Sequence, residues 1–157
     1  MMKRMIVSAA LSAAVATPAL ALEVTKSAMI AAPPATVWKT IGTFCGIGDW
    51  HPAVETCALS EKGGKKVRTL SLKGGGTILE EEQSRDDRKM AYTYTILESP
   101  LPVSGYTSTI MVAPEGSGSK VTWSGSFQAK GAPDAKAQEV IGGVYEGGLK
   151  GLSEKAK

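Results

Sequence analysis

The stretch DAKAQEVIGGVYEGGLKGL, residues 134–152, decides the fold. Its apolar residues recur at the spacing of one helix face, and Asp134 follows Pro133 near the start, so the pattern predicts a long amphipathic C-terminal helix. These apolar residues are Ala137, Val140, Ile141, Val144, Tyr145, Leu149 and Leu152. Five glycines interrupt the helix, and each costs up to about 1 kcal/mol relative to alanine. We therefore expect another element to pack against this helix, or a space beside it to stay open.

Upstream of this helix, the pattern changes to short strands separated by turn residues. The predicted strands span residues 23–30, 54–59, 67–72, 77–84, 90–97, 103–112 and 121–129. Two short helices are predicted after the first strand, one from Pro33 to Gly42 and one over Ile47–Trp50. Because the connections are short, the strands should form an antiparallel meander. The sequence thus predicts an α+β domain in which a curved seven-stranded antiparallel sheet wraps around the last helix.

Residues 1–21 have the pattern of a secretory signal peptide. Lys3 and Arg4 precede an uncharged, Ala-rich segment, and Ala19-Leu20-Ala21 matches a cleavage site. The segment is too short and too weakly hydrophobic for a good membrane span, so no stable membrane anchor is expected; a retained anchor helix is the alternative. We expect cleavage at about Ala21, a periplasmic protein and one domain over residues 22–157.

The composition argues against several classes of function. The 157 residues are 43% hydrophobic and 21% charged, which is typical of a globular domain rather than a disordered chain. The net charge is +3, and without the two basic leader residues sixteen basic residues face fifteen acidic ones. Basic residues are not interleaved with aromatics, so we expect no nucleic-acid binding. No phosphate-loop, dinucleotide-binding or zinc-protease motif is present, and no cofactor is expected.

The two cysteines and the single histidine each allow two interpretations. Cys45 and Cys57 can form a disulfide in an oxidising compartment, and the alternative is a pair of buried free thiols. His51, with Asp49 and Glu55, suggests a metal site or a general base at a cavity mouth. One histidine with scattered carboxylates is a poor ligand set, however, so a capping and packing role is the alternative and no metal is expected.

Four polar residues on two predicted strands are candidates for the lining of a cavity. If the strands alternate regularly, Tyr92 and Tyr94 project to one side of their strand, and Tyr106 and Ser108 do the same on theirs. Phenols that face an enclosed space need hydrogen-bond partners, which a cavity with a ligand supplies. The alternative is that the rings fill the core while the hydroxyls reach the sheet edge.

A carboxylate on an apolar strand face is a second candidate. Glu80 shares a face with Ile78, and burial would raise the pKa of its carboxyl unless it were paired. Arg68, on a neighbouring strand, is a possible partner. The alternative is a register shifted by one residue, which places Glu80 in solvent with Glu81 and Glu82.

Four segments resemble a bacterial branch of the START and birch-pollen-allergen (SRPBCC) superfamily, which is called polyketide cyclase/dehydrase-like and is related to the plant abscisic-acid receptors. The segments are VWKTIG (37–42), FCGIGDWHP (44–52), ESPLPV (98–103) and YEGGL (145–149). The resemblance covers nearly all of the chain after residue 21. It implies a helix-grip fold with a cavity between the sheet and the last helix.

The same resemblance implies a set of ligand-binding residues. Residues 71–75 and 99–103 resemble the gate and latch loops that close over the ligand in the plant receptors. Glu55 falls near the lysine that binds the ligand's carboxylate in those receptors, so the resemblance implies no basic anchor here. The expected ligand-binding residues are Glu55, Arg68, Leu72, Glu80, Tyr92, Tyr94, Leu101, Tyr106, Ser108, Trp123 and Tyr145.

Three functions are compatible with this sequence. The first is non-catalytic binding of a small, mainly apolar ligand, which requires a continuous cavity of roughly 300 Å³ or more. The second follows from a resemblance to exported MxaD-like proteins, whose attributed role is to assist electron transfer from methanol dehydrogenase to its cytochrome. Such an accessory to a periplasmic dehydrogenase or cytochrome needs a contiguous exposed patch. The third is a polyketide cyclase/dehydratase-like enzyme that uses Glu80 or a tyrosine as acid or base.

Overall fold

Residues 20–157, which the computed structural model describes, form seven strands and three helices. In chain order these are β1 (Leu22–Ile30), α1 (Pro34–Ile41), α2 (Ile47–Trp50), β2 (Val54–Lys62), β3 (Lys65–Leu72), β4 (Thr77–Asp86), β5 (Ala91–Glu98), β6 (Val103–Glu115), β7 (Gly118–Ala129) and α3 (Asp134–Lys155). This order confirms the predicted helix-grip fold. Residues 1–19 of the predicted signal peptide lie outside the described range. No helix within that range is long and apolar enough to cross a membrane.

The seven strands form one antiparallel sheet with the order β1-β7-β6-β5-β4-β3-β2. Successive strands from β2 to β7 are neighbours. The first strand, β1, lies at the other edge and pairs with β7, where Leu22 lies opposite Phe127 and Ile30 opposite Ser119. The sheet is curved, and α3 packs against β1 and β7 on its inner face. The inner face therefore carries the core, and the cavity described below lies between this face and α3.

The hairpin of β6 and β7 is longer than the pattern predicts. Strand β6 continues through Pro114 to Glu115, whereas the prediction ends this strand at residue 112. A proline lacks the backbone N–H that a central strand needs. The pairing of β5 with β6 ends at Ala91 and Met111. Pro114 pairs only with Ser119 of β7, so no strand on its other side requires a donor from it.

Two glycines of α3 allow close packing against the C-terminal end of α2 and against β7. A Cβ atom at Gly148 would overlap the His51 and Trp123 rings, and one at Gly151 would overlap the carbonyl of Trp50. The expectation that another element packs against this helix is therefore correct at these two positions. A Cβ atom at Gly143, in contrast, would have no other heavy atom within 4 Å and would face open space.

Cys45 and Cys57 form a disulfide bond. Cys45 precedes α2 and Cys57 lies on β2, so the bond joins the helical connection to the sheet edge strand. The residues between them include Ile47 and Val54, which line the cavity. The disulfide thus holds one wall of the candidate site.

Candidate functional site

A cavity lies between the inner face of the sheet and α3. Its volume is about 90 Å³, which is smaller than the roughly 300 Å³ that we expected for a ligand-binding cavity. The reason lies in the wall. Large side chains form it, including aromatic rings from the sheet, Leu72 at the end of β3 and Leu101 in the loop before β6. The residues that were predicted and that do line the cavity are Leu72, Glu80, Tyr94, Leu101, Tyr106 and Trp123.

The gate-like loop (residues 71–75) and the latch-like loop (residues 99–103) both contribute to the cavity wall. Leu72 and Leu101 line the cavity from these two loops, and a Cβ at Gly76 would lie 3.5 Å from the ring of Pro100. Gly74, Gly75 and Gly76 have φ values of +92°, +101° and +93°, which residues with a side chain rarely adopt. The three consecutive glycines therefore allow this loop to turn tightly over the cavity.

A buried ion pair lies in the wall. Arg68 of β3 and Glu80 of β4 are directly opposite in the sheet register, and the Arg68 Nε donates to the Glu80 Oε2 at 2.6 Å. Arg68 is fully buried and Glu80 is 4% exposed. The alternative of a solvent-exposed Glu80 is therefore wrong, and Arg68 is the partner that the sequence suggested. Glu80 lines the cavity, whereas Arg68 lies behind it.

The surroundings of Arg68 keep it charged. Its Nη1 donates to the carbonyl oxygen of Phe44, and its guanidinium lies 4.1 Å from the centre of the Phe44 ring. Burial lowers the pKa of Arg68, but the Glu80 carboxylate and the nearby Tyr92 and Tyr94 outweigh it and raise that pKa. Burial raises the pKa of Glu80, and the Arg68 charge opposes this rise. The pair supplies the cavity with one carboxyl group whose charge is compensated from behind.

A chain of buried hydroxyl groups connects the sheet to α3. The Tyr94 and Tyr106 hydroxyls are 3.3 Å apart, and those of Tyr106 and Tyr145 are 2.5 Å apart. The Tyr145 hydroxyl lies 2.9 Å from the Ser108 Oγ, which donates to the Ser124 carbonyl at 2.8 Å. The tyrosine hydroxyls therefore do have hydrogen-bond partners, as expected, but these partners are other hydroxyl groups of the protein and not a ligand.

The indole of Trp123 completes this network. Its Nε1 lies 3.1 Å from the Tyr94 hydroxyl and 3.0 Å from the Ser108 Oγ, and it donates to both. Burial raises the pKa of Tyr145 to about 12 and raises the pKa of Tyr94 and of Tyr106 well above the usual value. All three phenols are therefore neutral hydrogen-bonding groups at any physiological pH.

His51 lies in the cavity wall, at the junction of α2, β2 and α3. Its Nδ1 accepts a hydrogen bond from the Ala53 N–H at 3.2 Å. Its Nε2 lies 3.0 Å from the Val144 carbonyl oxygen, which can only accept, so Nε2 carries the proton and donates. Burial lowers the pKa of His51, as does the charge of Arg68, while the bond to Val144 raises it. This is the capping and packing role, and the ring faces the cavity as well.

The other predicted site residues lie outside the cavity lining. Glu55 is exposed, because the inward-facing residue at the start of β2 is Val54 and its neighbour points away. Tyr92 is buried further along β5, where its ring contacts Phe44 at 6.0 Å between centroids. Ser108 and Tyr145 lie behind the lining in the hydroxyl network, as Arg68 lies behind Glu80.

Apart from Leu72, Leu101 and Trp123, the sequence did not identify the apolar part of the wall, and it suggested a place for His51 at a cavity mouth only as part of a metal site or as a general base. Sheet residues Leu70, Ile78 and Ile96 line the cavity from one side, and Ile141 and Val144 line it from α3. The helix periodicity already marks Ile141 and Val144 as core-facing. That signal predicts burial, but it does not distinguish packed core from cavity wall.

The chemistry available in the cavity is limited to one carboxyl group, one imidazole, three aromatic polar groups and apolar surface. Within residues 20–157, no three His, Cys, Asp or Glu side chains lie close enough together to hold a metal ion. The arrangement therefore suits an apolar molecule with few polar atoms.

The accessory function would instead need a contiguous exposed patch. The large exposed hydrophobic residues of the strands, Met29, Leu59, Leu97 and Met111, lie on four different strands.

Comparisons with known proteins agree with this architecture. The chain is similar to the XoxI protein of Bacillus cereus, with 38% identity over 84% of this chain and 93% of that one and a TM-score of 0.79. A Bacillus thuringiensis protein is 37% identical over 85% of this chain and 97% of its own, with a TM-score of 0.79. An aromatase/cyclase from a Streptomyces species is 20% identical over 87% and 93% with a TM-score of 0.70, and this likeness concerns the fold alone.

No curated protein matches the chain significantly. The model of one protein family does match, over residues 21–157, which include every described strand and helix. That match, the seven-stranded helix-grip sheet and the cavity beneath α3 agree with one another. The chain belongs to the polyketide cyclase/dehydrase and lipid transport family.

Proposed function

We propose that this protein binds a small, mainly apolar molecule in the cavity between the sheet and α3, and that it does so without transforming it. The observation that carries the proposal is the composition of the wall. Leucine, isoleucine, valine and aromatic side chains surround the cavity, and Glu80 is the single carboxyl among the described lining residues. Concave sites of this composition are typical of ligand binding.

The cavity is smaller than the roughly 300 Å³ that we expected for a ligand-binding cavity, so the proposal is limited to a ligand smaller than a drug-sized molecule. An engineered apolar cavity of about 150 Å³ holds one benzene molecule, so a cavity of about 90 Å³ accepts a molecule of a few non-hydrogen atoms. A larger ligand requires Leu72 and Leu101 to move outward with their loops. We propose the smaller class of ligand for the cavity as the structure shows it.

The non-catalytic part of the proposal rests on the state of the polar groups. Acid–base catalysis needs a group that can gain or lose a proton at the substrate. Glu80 is held by Arg68 at 2.6 Å, and the imidazole of His51 is held by two backbone groups. These fixed partners support binding rather than turnover.

We also propose that the protein is exported to the periplasm, and two observations support this. The leader pattern at residues 1–21 is that of an exported protein, and disulfide bonds such as Cys45–Cys57 persist mainly in oxidising compartments. Expression of the full chain in a Gram-negative host, followed by fractionation and intact mass measurement, tests it. The proposal requires a periplasmic product cleaved near Ala21, and an uncleaved cytoplasmic product would contradict it.

Binding is tested by titrating small apolar molecules into ¹⁵N-labelled protein from the periplasm while the indole N–H signals are followed by NMR. The Trp123 signal should shift and saturate, since Trp123 lines the cavity. Val144→Phe fills the cavity from α3 and should abolish the shift, whereas Lys150→Phe, at an exposed position of the same helix, should preserve it. A saturable shift that survives Val144→Phe would place binding elsewhere.

A further inference from the structure

The hydrogen-bond donors of the residues that line the cavity are all bound to other groups of the protein. The one unpaired donor beside them, Arg68 Nη2, is buried behind Glu80 and is not part of the lining. Five lining residues carry polar side-chain atoms, namely His51, Glu80, Tyr94, Tyr106 and Trp123. Each neutral hydroxyl has a single proton, and each indole or neutral imidazole has a single N–H. The direction in which each of these protons points can be derived from the partners, because some of the partners can only accept.

The direction of the hydroxyl chain is set at its far end. Ser108 donates its one proton to the Ser124 carbonyl, so it can only accept from Tyr145. Tyr145 therefore donates its proton to Ser108 and must accept from Tyr106, which lies 2.5 Å away. Tyr106 in turn accepts from Tyr94. The protons all run from the cavity wall towards the Ser124 carbonyl, and none points into the cavity.

The two nitrogen donors are committed in the same way. The Trp123 N–H is shared between the Tyr94 hydroxyl and the Ser108 Oγ, and the His51 N–H is bound to the Val144 carbonyl. Among the residues that line the cavity, the atoms that remain free to form a hydrogen bond are therefore acceptors. Glu80 uses Oε2 for Arg68, and its Oε1 accepts no hydrogen bond from the described residues, while Tyr94 and Tyr106 each keep a lone pair.

We infer that the ligand is an apolar molecule carrying one neutral hydrogen-bond donor, a hydroxyl or an N–H, which it directs at Glu80; this inference rests on the proposed binding function. An acceptor such as an ether or ketone oxygen would meet only acceptors in the wall and would lose its hydration without compensation. A cation is disfavoured as well, because the charge of Glu80 is already balanced by Arg68, whose guanidinium lies directly behind it.

Pyrrole and furan provide a matched pair of probes. They are five-membered aromatic rings of nearly the same shape, but pyrrole presents an N–H donor where furan presents an ether oxygen. Furan is the more apolar of the two, so a site that recognises only apolar surface binds furan at least as well. The inference predicts that pyrrole binds about tenfold or more tightly than furan, since hydrogen bonds to charged acceptors are among the stronger ones.

Both dissociation constants are obtained from the saturation of the Trp123 indole N–H shift in the periplasmic protein. A preference for pyrrole of about tenfold supports the inference. Equal binding, or tighter binding of furan, overturns the inference and leaves the proposed binding function standing. Failure of both probes to give a saturable shift overturns the proposed function together with the inference.

Glu80→Gln reverses the chemistry of the acceptor and supplies a second test. The amide oxygen of the glutamine can accept from the Arg68 Nε, which leaves its NH₂ group facing the cavity as a donor. The preference for pyrrole over furan should then shrink by about tenfold, and a folded variant with an unchanged preference would contradict the role of Glu80. The comparison of the two probes on the unmodified protein needs no variant to fold.

Discussion

Gly125 of β7 and Tyr145 of α3 fit each other so closely that a methyl group at position 125 would occupy the place of the Tyr145 hydroxyl. This contact joins the last helix to the sheet at the centre of the hydroxyl network. The absence of a side chain at one residue therefore determines where the hydrogen-bond chain from the cavity can pass.

This relationship predicts that Gly125→Ala is destabilising even though alanine is otherwise acceptable in a strand. The methyl group displaces the Tyr145 hydroxyl from Ser108 and Tyr106, and overpacking of this kind costs about 1–3 kcal/mol. Urea unfolding should show the loss. Tyr145→Phe removes the displaced oxygen, so the Gly125→Ala/Tyr145→Phe double variant should lose less stability than the sum of the two single losses. Simple additivity would show that the two residues do not compete for this space.

The state of His51 predicts a pH dependence of stability. Burial lowers its folded-state pKa below the ordinary value of 6.5, so the unfolded chain takes up the proton at a higher pH than the folded protein does. The contribution to stability is complete above pH 6.5 and is lost as the pH falls from there towards the folded-state pKa, with a slope of at most about 1.4 kcal/mol per pH unit.

His51 is the only histidine of the chain, which makes this prediction easy to assign. The free energy of unfolding should be measured in urea between pH 5.5 and pH 7.5 for the wild type and for His51→Gln. The difference between the two proteins should narrow as the pH falls. A difference that is constant over the range would mean that the folded protein binds the proton as readily as the unfolded chain.

The disulfide predicts a redox-dependent stability. Cys45 and Cys57 are 12 residues apart, and closing a loop of that length stabilises a folded protein by about 3 kcal/mol. A reducing agent should lower the urea midpoint of the wild type by an amount that corresponds to this energy. The Cys45→Ser/Cys57→Ser variant should have the lower midpoint throughout and should not respond to reductant. Equal midpoints for the wild type with and without reductant would contradict the bond's contribution.

The buried ion pair predicts strong coupling between its two members. Arg68→Met leaves the Glu80 carboxylate buried without its partner, which costs about 3–5 kcal/mol. Adding Glu80→Leu removes the unpaired charge, so the double variant should recover much of the lost stability. Chemical unfolding of the two single variants and the double variant measures the coupling. If the double variant is as unstable as Arg68→Met or less stable, packing of Arg68 on Phe44 rather than its pairing dominates.

Much of the fold could be predicted from the sequence because the deciding signals are local. The alternation of apolar residues identifies the strands, and the glycine runs at 63–64 and 74–76 mark the turns on either side of β3. The 3.6-residue period of residues 137–152 identifies α3. Strand ends were predicted less well. Met90, which the pattern assigned to a strand, has a positive φ of 50° and belongs to the turn before β5, since its apolar side chain gives no sign of that turn.

The site was predicted only in part, because its geometry depends on strand register and sheet curvature. Alternation placed Tyr94 and Tyr106 on the inner face, but three consecutive glutamates at 80–82 left the inward one undecided. The register of β3 with β4, which pairs Arg68 with Glu80, decides it. The cavity volume depends on the distance between the curved sheet and α3, and no pattern of residue types along one strand encodes that distance.

A crystal structure of the protein with its disulfide formed, soaked with pyrrole, gives the most direct test of ligand binding in the cavity. We expect density for the ring in the cavity between the sheet and α3, bounded by Tyr94, Leu101 and Val144, with its N–H directed at the Glu80 carboxyl. Density for pyrrole only at the surface, with the cavity closed around its own side chains, would contradict the claim that this cavity is a binding site.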